Sequence, residues 1–218
     1  MHSLQTLMRR MLPLAAVLMA ALPLSAAAQS AALEEGNQYL RLKNPQPVES
    51  GKKIEVIEFF SYGCPHCGDL EPNLQGWFKT MPADVQFRRV PVMYQDRWIP
   101  LARIYYTLDA LGEEARLSPE VFTAIHAGGS SLWQDKTFFD WAANHGLDRK
   151  KVEDMYNSFG IAGKVNRARA IAQTYQIQSV PTIVVDGKFV SNKVSSHRAM
   201  PAVIDALVVK ARVERPKG

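Results

Sequence analysis

Residues 54–60, IEVIEFF, form a β-branched and aromatic run of strand length, and the segments after it leave few ways to fold. Leu70, Leu74, Trp77 and Phe78 recur at helical spacing, and Met81-Pro82-Ala83-Asp84 ends that element. The stretch VQFRRVPV then alternates apolar and basic residues as a strand does. Strand, helix and strand in that order predict a parallel pair joined by a helical crossover. The polar stretch NPQPVESGKK leads into the first strand as a linker, and a short earlier strand fits residues 39–42.

The middle of the chain changes character. Leu101, Ile104, Tyr105, Leu108 and Leu111 mark an amphipathic helix stopped by Gly112. Ser118-Pro119-Glu120 opens a second, with a cap residue and a proline at the first position, and Gly128-Gly129 closes it. A third covers about residues 136–145, ended by Gly146; a fourth is capped by Asp148, with Val152, Met155, Tyr156 and Phe159 inside. No convincing strand lies between about residues 97 and 160, so this portion reads as a helical insert whose apolar faces pack together. No functional site is expected in it. A helix over about residues 162–175 then leads to SVPTIVVDGKFV, where Thr182–Val185 is a strand and Asp186-Gly187 a two-residue hairpin signal into residues 188–190. A final helix covers about residues 201–212. The expected organisation is α/β in two parts, residues 31–95 and 162–213, around an all-helical insert over residues 96–161, with a tail over 214–218.

Arg9 and Arg10 precede an uncharged, largely apolar run over residues 11–24 and the string Ser25-Ala26-Ala27-Ala28. This is the pattern of a cleavable export signal over residues 1–28, with Ala26-x-Ala28 at the cleavage site. A retained anchor is the competing reading, but Pro13 and Pro23 interrupt the run, and its strongly apolar part falls short of the ~20 residues of a spanning helix. No later segment is apolar enough to span a bilayer. A soluble exported protein of about 190 residues is therefore expected, in a compartment where disulfides persist. Cleavage removes two arginines and no acid, taking the formal charge from +5 to +3. The remaining basic residues are scattered, unlike the stripe of a nucleic-acid binder.

The only two cysteines of the chain, Cys64 and Cys67, stand in GCPHC. As a staple they are poorly placed, since closing a ring of four residues stabilises by roughly 1.9 kcal/mol against about 3 for fifteen. Reactivity explains the spacing better. Gly63 permits a tight turn out of the strand, Cys64 falls at the helix start, and Pro65 occupies the first turn, where its missing N–H costs nothing. The Cys64 sulfur then meets unpaired backbone N–H groups and the positive end of the helix dipole, which favour thiolate. His66 adds a donor or positive charge; the plainer alternative is an exposed first-turn residue without chemical role. Cys67 lies one turn further in, as the more buried, resolving sulfur. A stabilised thiolate makes the disulfide a better oxidant and Cys64 a faster leaving group. Structural zinc is the other reading of Cys-x-x-Cys, but it wants four ligands, and His126, His145 and His197 lack the spacing to supply them. Neither a metal nor another cofactor is expected.

By alternation Glu58 shares a face with Ile54, Val56 and Phe60, a short way back from Cys64. A carboxyl group on an apolar face has a raised pKa and can exchange protons with a buried thiol such as Cys67. The alternative is an edge position reaching water, which suits Glu55 on the opposite face better. Val180-Pro181 begins the later strand; because only about 5–6% of X-Pro bonds in folded proteins are cis, the pattern alone predicts trans. Pro72, inside the helical pattern, predicts a kinked or divided helix.

EFFSYGCPHC, SVPT and the insert between two α/β portions resemble the DsbA-type periplasmic thiol:disulfide oxidoreductases of the thioredoxin superfamily, over about residues 33–212. The resemblance implies a thioredoxin-like fold with an inserted all-helical domain. It implies that Cys64 is the exposed nucleophile, Cys67 the resolving cysteine, His66 the pKa-lowering residue, Glu58 the buried acid beneath them and Glu71 a further acidic neighbour. It also implies a cis Pro181 facing the cysteines, with Val180 holding an extended substrate peptide by its backbone and Pro65 lining the same surface. The implied activity is oxidation of cysteine pairs in reduced exported proteins by a periplasmic monomer that binds no nucleic acid. Reoxidation is implied to come from a DsbB-like membrane quinone reductase. Rivals are a reductase or isomerase on the same scaffold, and a peptide-binding chaperone whose cysteines are incidental. Gly68 stands where family members often carry a bulky residue, and Pro72 resembles the kink of thioredoxin itself.

Overall fold

The computed structural model describes residues 33–215; the expected export signal and the end of the tail lie outside them. Strands β1 (Tyr39–Arg41), β2 (Ile54–Phe60), β3 (Val85–Pro91), β4 (Thr182–Val185) and β5 (Phe189–Ser191) form one sheet in the order β1-β5-β4-β2-β3. β2 and β3 are parallel, from Ile54 opposite Val85 to Phe60 opposite Pro91, and the other pairs are antiparallel. The helix α1 (Pro65–Phe78) makes the expected crossover. It passes through Pro72 undivided, because Leu70 before the proline and Leu74 and Trp77 after it are buried in one core.

Four helices come next: α2 (Trp98–Ala110), α3 (Glu114–His126), α4 (Asp135–Asn144) and α5 (Arg149–Tyr156). α6 (Phe159–Thr174) returns the chain to the sheet, and α7 (Met200–Glu214) comes after a short 3-10 turn at His197–Ala199. Two expectations fail in detail. α3 starts at Glu114, so Ser118 is a buried residue within the helix and not its cap. Phe159 does not belong to the fourth insert helix: Ser158 accepts from the Ile161 N–H and starts α6 there, leaving Phe159 98% exposed. The Asp148 cap of α5 is as expected, accepting from the Lys151 N–H at 2.7 Å.

α1 and α7 pack on the sheet face that carries Ile54, Val56, Ile183 and Val185. α6 covers the other face, against Ile57, Phe59 and Val184. Covered on both sides, β2 is buried along its whole length. Asp186 and Gly187 both take positive φ, 54° and 62°, as a two-residue hairpin with strand-matching twist requires. The insert has a core of its own, and Phe60, Tyr62, Cys64 and Cys67 belong to it. The cysteines thus lie where the end of β2 runs into the helical portion. Among the described residues no helix is long and apolar enough to cross a membrane.

Candidate active site

Cys64 is the N-cap of α1, with extended backbone, and Pro65 takes the first helical position. Gly63 makes this approach under the Trp98 indole: a Cβ there would fall 2.5 Å from its Nε1. Both cysteines are free thiols. Cys64 is 7% exposed and Cys67 fully buried, so the expected order of exposure holds although Cys64 itself is mostly covered. The Cys64 Sγ lies 3.4 Å from the Val180 carbonyl oxygen, which places the loop before β4 directly over the sulfur.

The two thiols are driven apart. Cys64 is lowered to about 6, first because the Cys67 thiol donates to its sulfur, then by the backbone N–H groups of Cys67 and His66 and the charge of His66. Burial opposes this and loses. Cys67 is pushed far up by burial, by the hydrogen bond it donates to Cys64 and by the charge of Glu58. One thiolate and one thiol therefore share the reduced site at neutral pH, with the proton on Cys67.

Glu58 is buried on the α1 face of the sheet, as alternation requires, but that face is not apolar at this point. The parallel register sets Glu58 opposite Arg89, whose Nε donates to Glu58 Oε2 at 2.7 Å. The same guanidinium donates to Glu71 Oε2 at 2.5 Å, Glu114 Oε1 at 2.5 Å and Ser118 Oγ at 3.1 Å. One buried cation thus ties β2, α1, β3 and α3 together. The carboxyl group of Glu58 is raised to about 7: burial dominates, Arg89 opposes it, and the charges of Glu71 and Glu114 add to it. Its Oε1 has no hydrogen-bond partner among the described residues. Glu71 is brought in as the resemblance implied. Arg89, Glu114 and Ser118 were missed, and the one available signal was the doubled arginine of VQFRRVPV, where alternation sends one of the two side chains to each face of the strand.

Glu55 corrects an expectation. It does not reach water; it is fully buried, accepts from Arg88 Nε at 3.1 Å and from the Glu49 N–H at 3.0 Å, because α6 covers its side of the sheet.

The Val180–Pro181 peptide bond is cis, against the pattern and with the resemblance. Tyr94, also missed, donates from its hydroxyl to the Ile177 carbonyl at 3.2 Å and ties down the loop that leads to Val180. Val180, Pro181 and His66 line a groove of about 560 Å³ with the His197 turn. Pro65 is not part of it and lines two smaller clefts, both shared with His126. A side chain at Gly68 would reach Phe122 and His126 of α3, which come within 3.4 and 3.6 Å of its Cβ position. The imidazole of His66 stands in solvent, Nδ1 3.7 Å from Asp69 Oδ2.

Residues 83–202 match the family model of the DSBA-like thioredoxin domain. The chain is 41% identical over 165 residues to the thiol:disulfide interchange protein DsbA of Burkholderia cepacia, covering 75% of this chain and 78% of that one. To the protein of the same name from Bordetella parapertussis it is 38% identical over 202 residues, covering 91% and 95%. The crystal structure of Pseudomonas aeruginosa DsbA superposes with a TM-score of 0.79 at 36% identity, over 83% of this chain and 95% of that chain. A sheet of this topology interrupted by helices agrees with these likenesses. The chain belongs to the family of DsbA-like thioredoxin-fold proteins and is a thiol:disulfide oxidoreductase.

Proposed function

We propose that the protein oxidises cysteine pairs of exported proteins in the periplasm through a Cys64–Cys67 disulfide. The observation that carries this reading is the contrast between the two sulfurs, one depressed to about 6 and the other raised. A client thiolate attacks Cys64 Sγ of the oxidised protein, the S–S bond breaks, and Cys67 leaves as a thiolate that takes a proton from Glu58. A second client thiolate attacks the client sulfur of the mixed disulfide, and Cys64 departs as the stabilised thiolate. The client loses two electrons, which the protein holds as its reduced pair until a DsbB-like membrane quinone reductase removes them. Val180 offers its backbone to the extended client beside Pro181, and His66 supports the Cys64 thiolate.

Equilibration with glutathione tests the direction of transfer. The pair is expected to be more oxidising than about −180 mV, and a value below about −240 mV would select the reductase reading instead.

The same chemistry requires the reduced protein to be the more stable form. With a folded pKa of about 6 against an ordinary ~8.5, Cys64 contributes stability that is complete above the unfolded value and lost as pH falls through the folded one. The bound is ~3 kcal/mol, discounted because water reaches the groove mouth. The raised Cys67 works in the opposite sense above ~8.5, so the gap is expected to peak near pH 8 and to close by about pH 5. Melting curves of both forms across that range check it; equal midpoints at pH 8 count against an oxidant.

Glu58→Gln removes the proton donor while keeping the shape. Turnover is expected to fall roughly 10–100-fold, with loss of the pH dependence centred near 7, read by stopped-flow oxidation of a dithiol peptide. A profile unchanged from the parent would remove Glu58 from the proton path.

A further inference from the structure

The groove beside Cys64 is chemically one-sided. Among the described residues that line it, the titratable ones are His66, Lys193 and His197, and none is a carboxylate. Five serine and threonine residues, from Ser179 to Ser196, supply most of the remaining polar lining. Val180 and Pro181 place the groove next to the reactive sulfur, since the Val180 carbonyl is 3.4 Å from Cys64 Sγ.

His197 is held there by its own turn. Ser196 Oγ accepts from the Ala199 N–H at 3.3 Å, and the ring stands against that of His66 with centroids 5.7 Å apart and planes at 39°. The two imidazoles are not equivalent. Asp69 already answers His66, at 3.7 Å, whereas among the described residues the His197 ring makes no hydrogen bond. An imidazole presents an N–H donor in either tautomer and a positive charge when protonated, and Lys193 adds a fixed charge. His66 and His197 line the same groove as Val180, whose carbonyl is 3.4 Å from Cys64 Sγ, so a group bound between the two imidazoles is a near neighbour of a client cysteine joined to Cys64.

We infer that this groove favours client segments whose reactive cysteine is flanked by acidic residues, with His197 and Lys193 as its specificity-determining side chains. The inference rests on the interchange reading above and adds a client preference to it. Nothing in the exchange chemistry itself demands such a preference; it comes from the wall of the groove.

Three short peptides with Asp, Asn or Lys on both sides of one cysteine test this. The second-order rate at which each reduces the oxidised full-length protein is divided by its rate with hydroxyethyl disulfide, which removes the effect of flanking charge on the thiol itself. The normalised Asp:Lys ratio is expected to be about 5–10 at low salt and to shrink at 0.5 M salt, as for charges at a wet surface. It is expected to fall towards 1 in His197→Asn and Lys193→Gln together, and to persist in Lys150→Gln, which removes a distant charge on α5. Equal rates for Asp and Lys peptides, a ratio that survives loss of both groove residues, or an equal drop in Lys150→Gln each overturn the groove assignment while leaving interchange intact. A protein that none of the three peptides reduces overturns the interchange reading, and this preference with it.

Discussion

Cys64→Ala is expected to abolish disulfide formation in a reduced client, with a loss of at least about 10³-fold, because no other sulfur is placed to accept the attacking thiolate. Cys67 cannot substitute: it is fully buried and its thiol is held protonated. Cys67→Ala should differ in kind. It removes the largest single cause of the low Cys64 value, the hydrogen bond from the Cys67 thiol, and leaves the backbone N–H groups and His66. Alkylation of Cys64 as a function of pH is then expected to titrate clearly above 6, whereas His66→Ala, which removes only a weaker contribution, moves it less. The chaperone rival separates cleanly here, since peptide binding without chemistry survives loss of Cys64. A Cys64→Ala protein that still oxidises its client would end the assignment.

Features set by neighbours in the chain were legible in the residues. The seven-residue β2, the crossover through α1, the Asp186-Gly187 hairpin and the Cys64 N-cap each stem from a local pattern of apolar spacing, proline or glycine. Features set by neighbours in space were not. Glu55 and Glu58 sit on opposite faces of one strand, and alternation separates them correctly, yet it carries no information about what covers each face. Only the pairing of β2 with β3 brings Arg89 opposite Glu58, and only the docking of α3 adds Glu114 and Ser118. Ser118 shows the conflict at a single residue. Beside Pro119 it has the local form of a helix cap, but its hydroxyl hydrogen-bonds Tyr62 at 2.8 Å and the helix begins a turn earlier. The cis geometry at Pro181 is of the same sort, visible in the residues only by likeness to a family.

Replacing Arg89 by methionine is expected to lower the unfolding free energy by about 3–5 kcal/mol at pH 7.5, the usual effect of removing one member of a buried ion group. Glu58 and Glu71 are almost wholly buried, so the lost guanidinium leaves carboxylates that neither water nor another described cation reaches. Glu58 responds by holding its proton. Burial already raises Glu58 to about 7 against the pull of Arg89, and without that pull it rises further. An acid whose folded pKa is raised stabilises the fold below its unfolded value, ~4.3, and that contribution is lost as pH climbs through the folded value. The deficit of the variant relative to the parent is therefore expected to be small near pH 5 and greatest above pH 7. Adding Glu58→Gln to Arg89→Met removes one orphaned charge and should restore about 1 kcal/mol or more, an interaction energy typical of groups in direct contact. Urea titrations of the four proteins at pH 5 and 7.5 measure all of this. A deficit below about 1 kcal/mol at pH 7.5, or one that does not depend on pH, would mean that the cluster is wetter than its burial indicates and that Glu58 is not held near neutrality for proton exchange with Cys67.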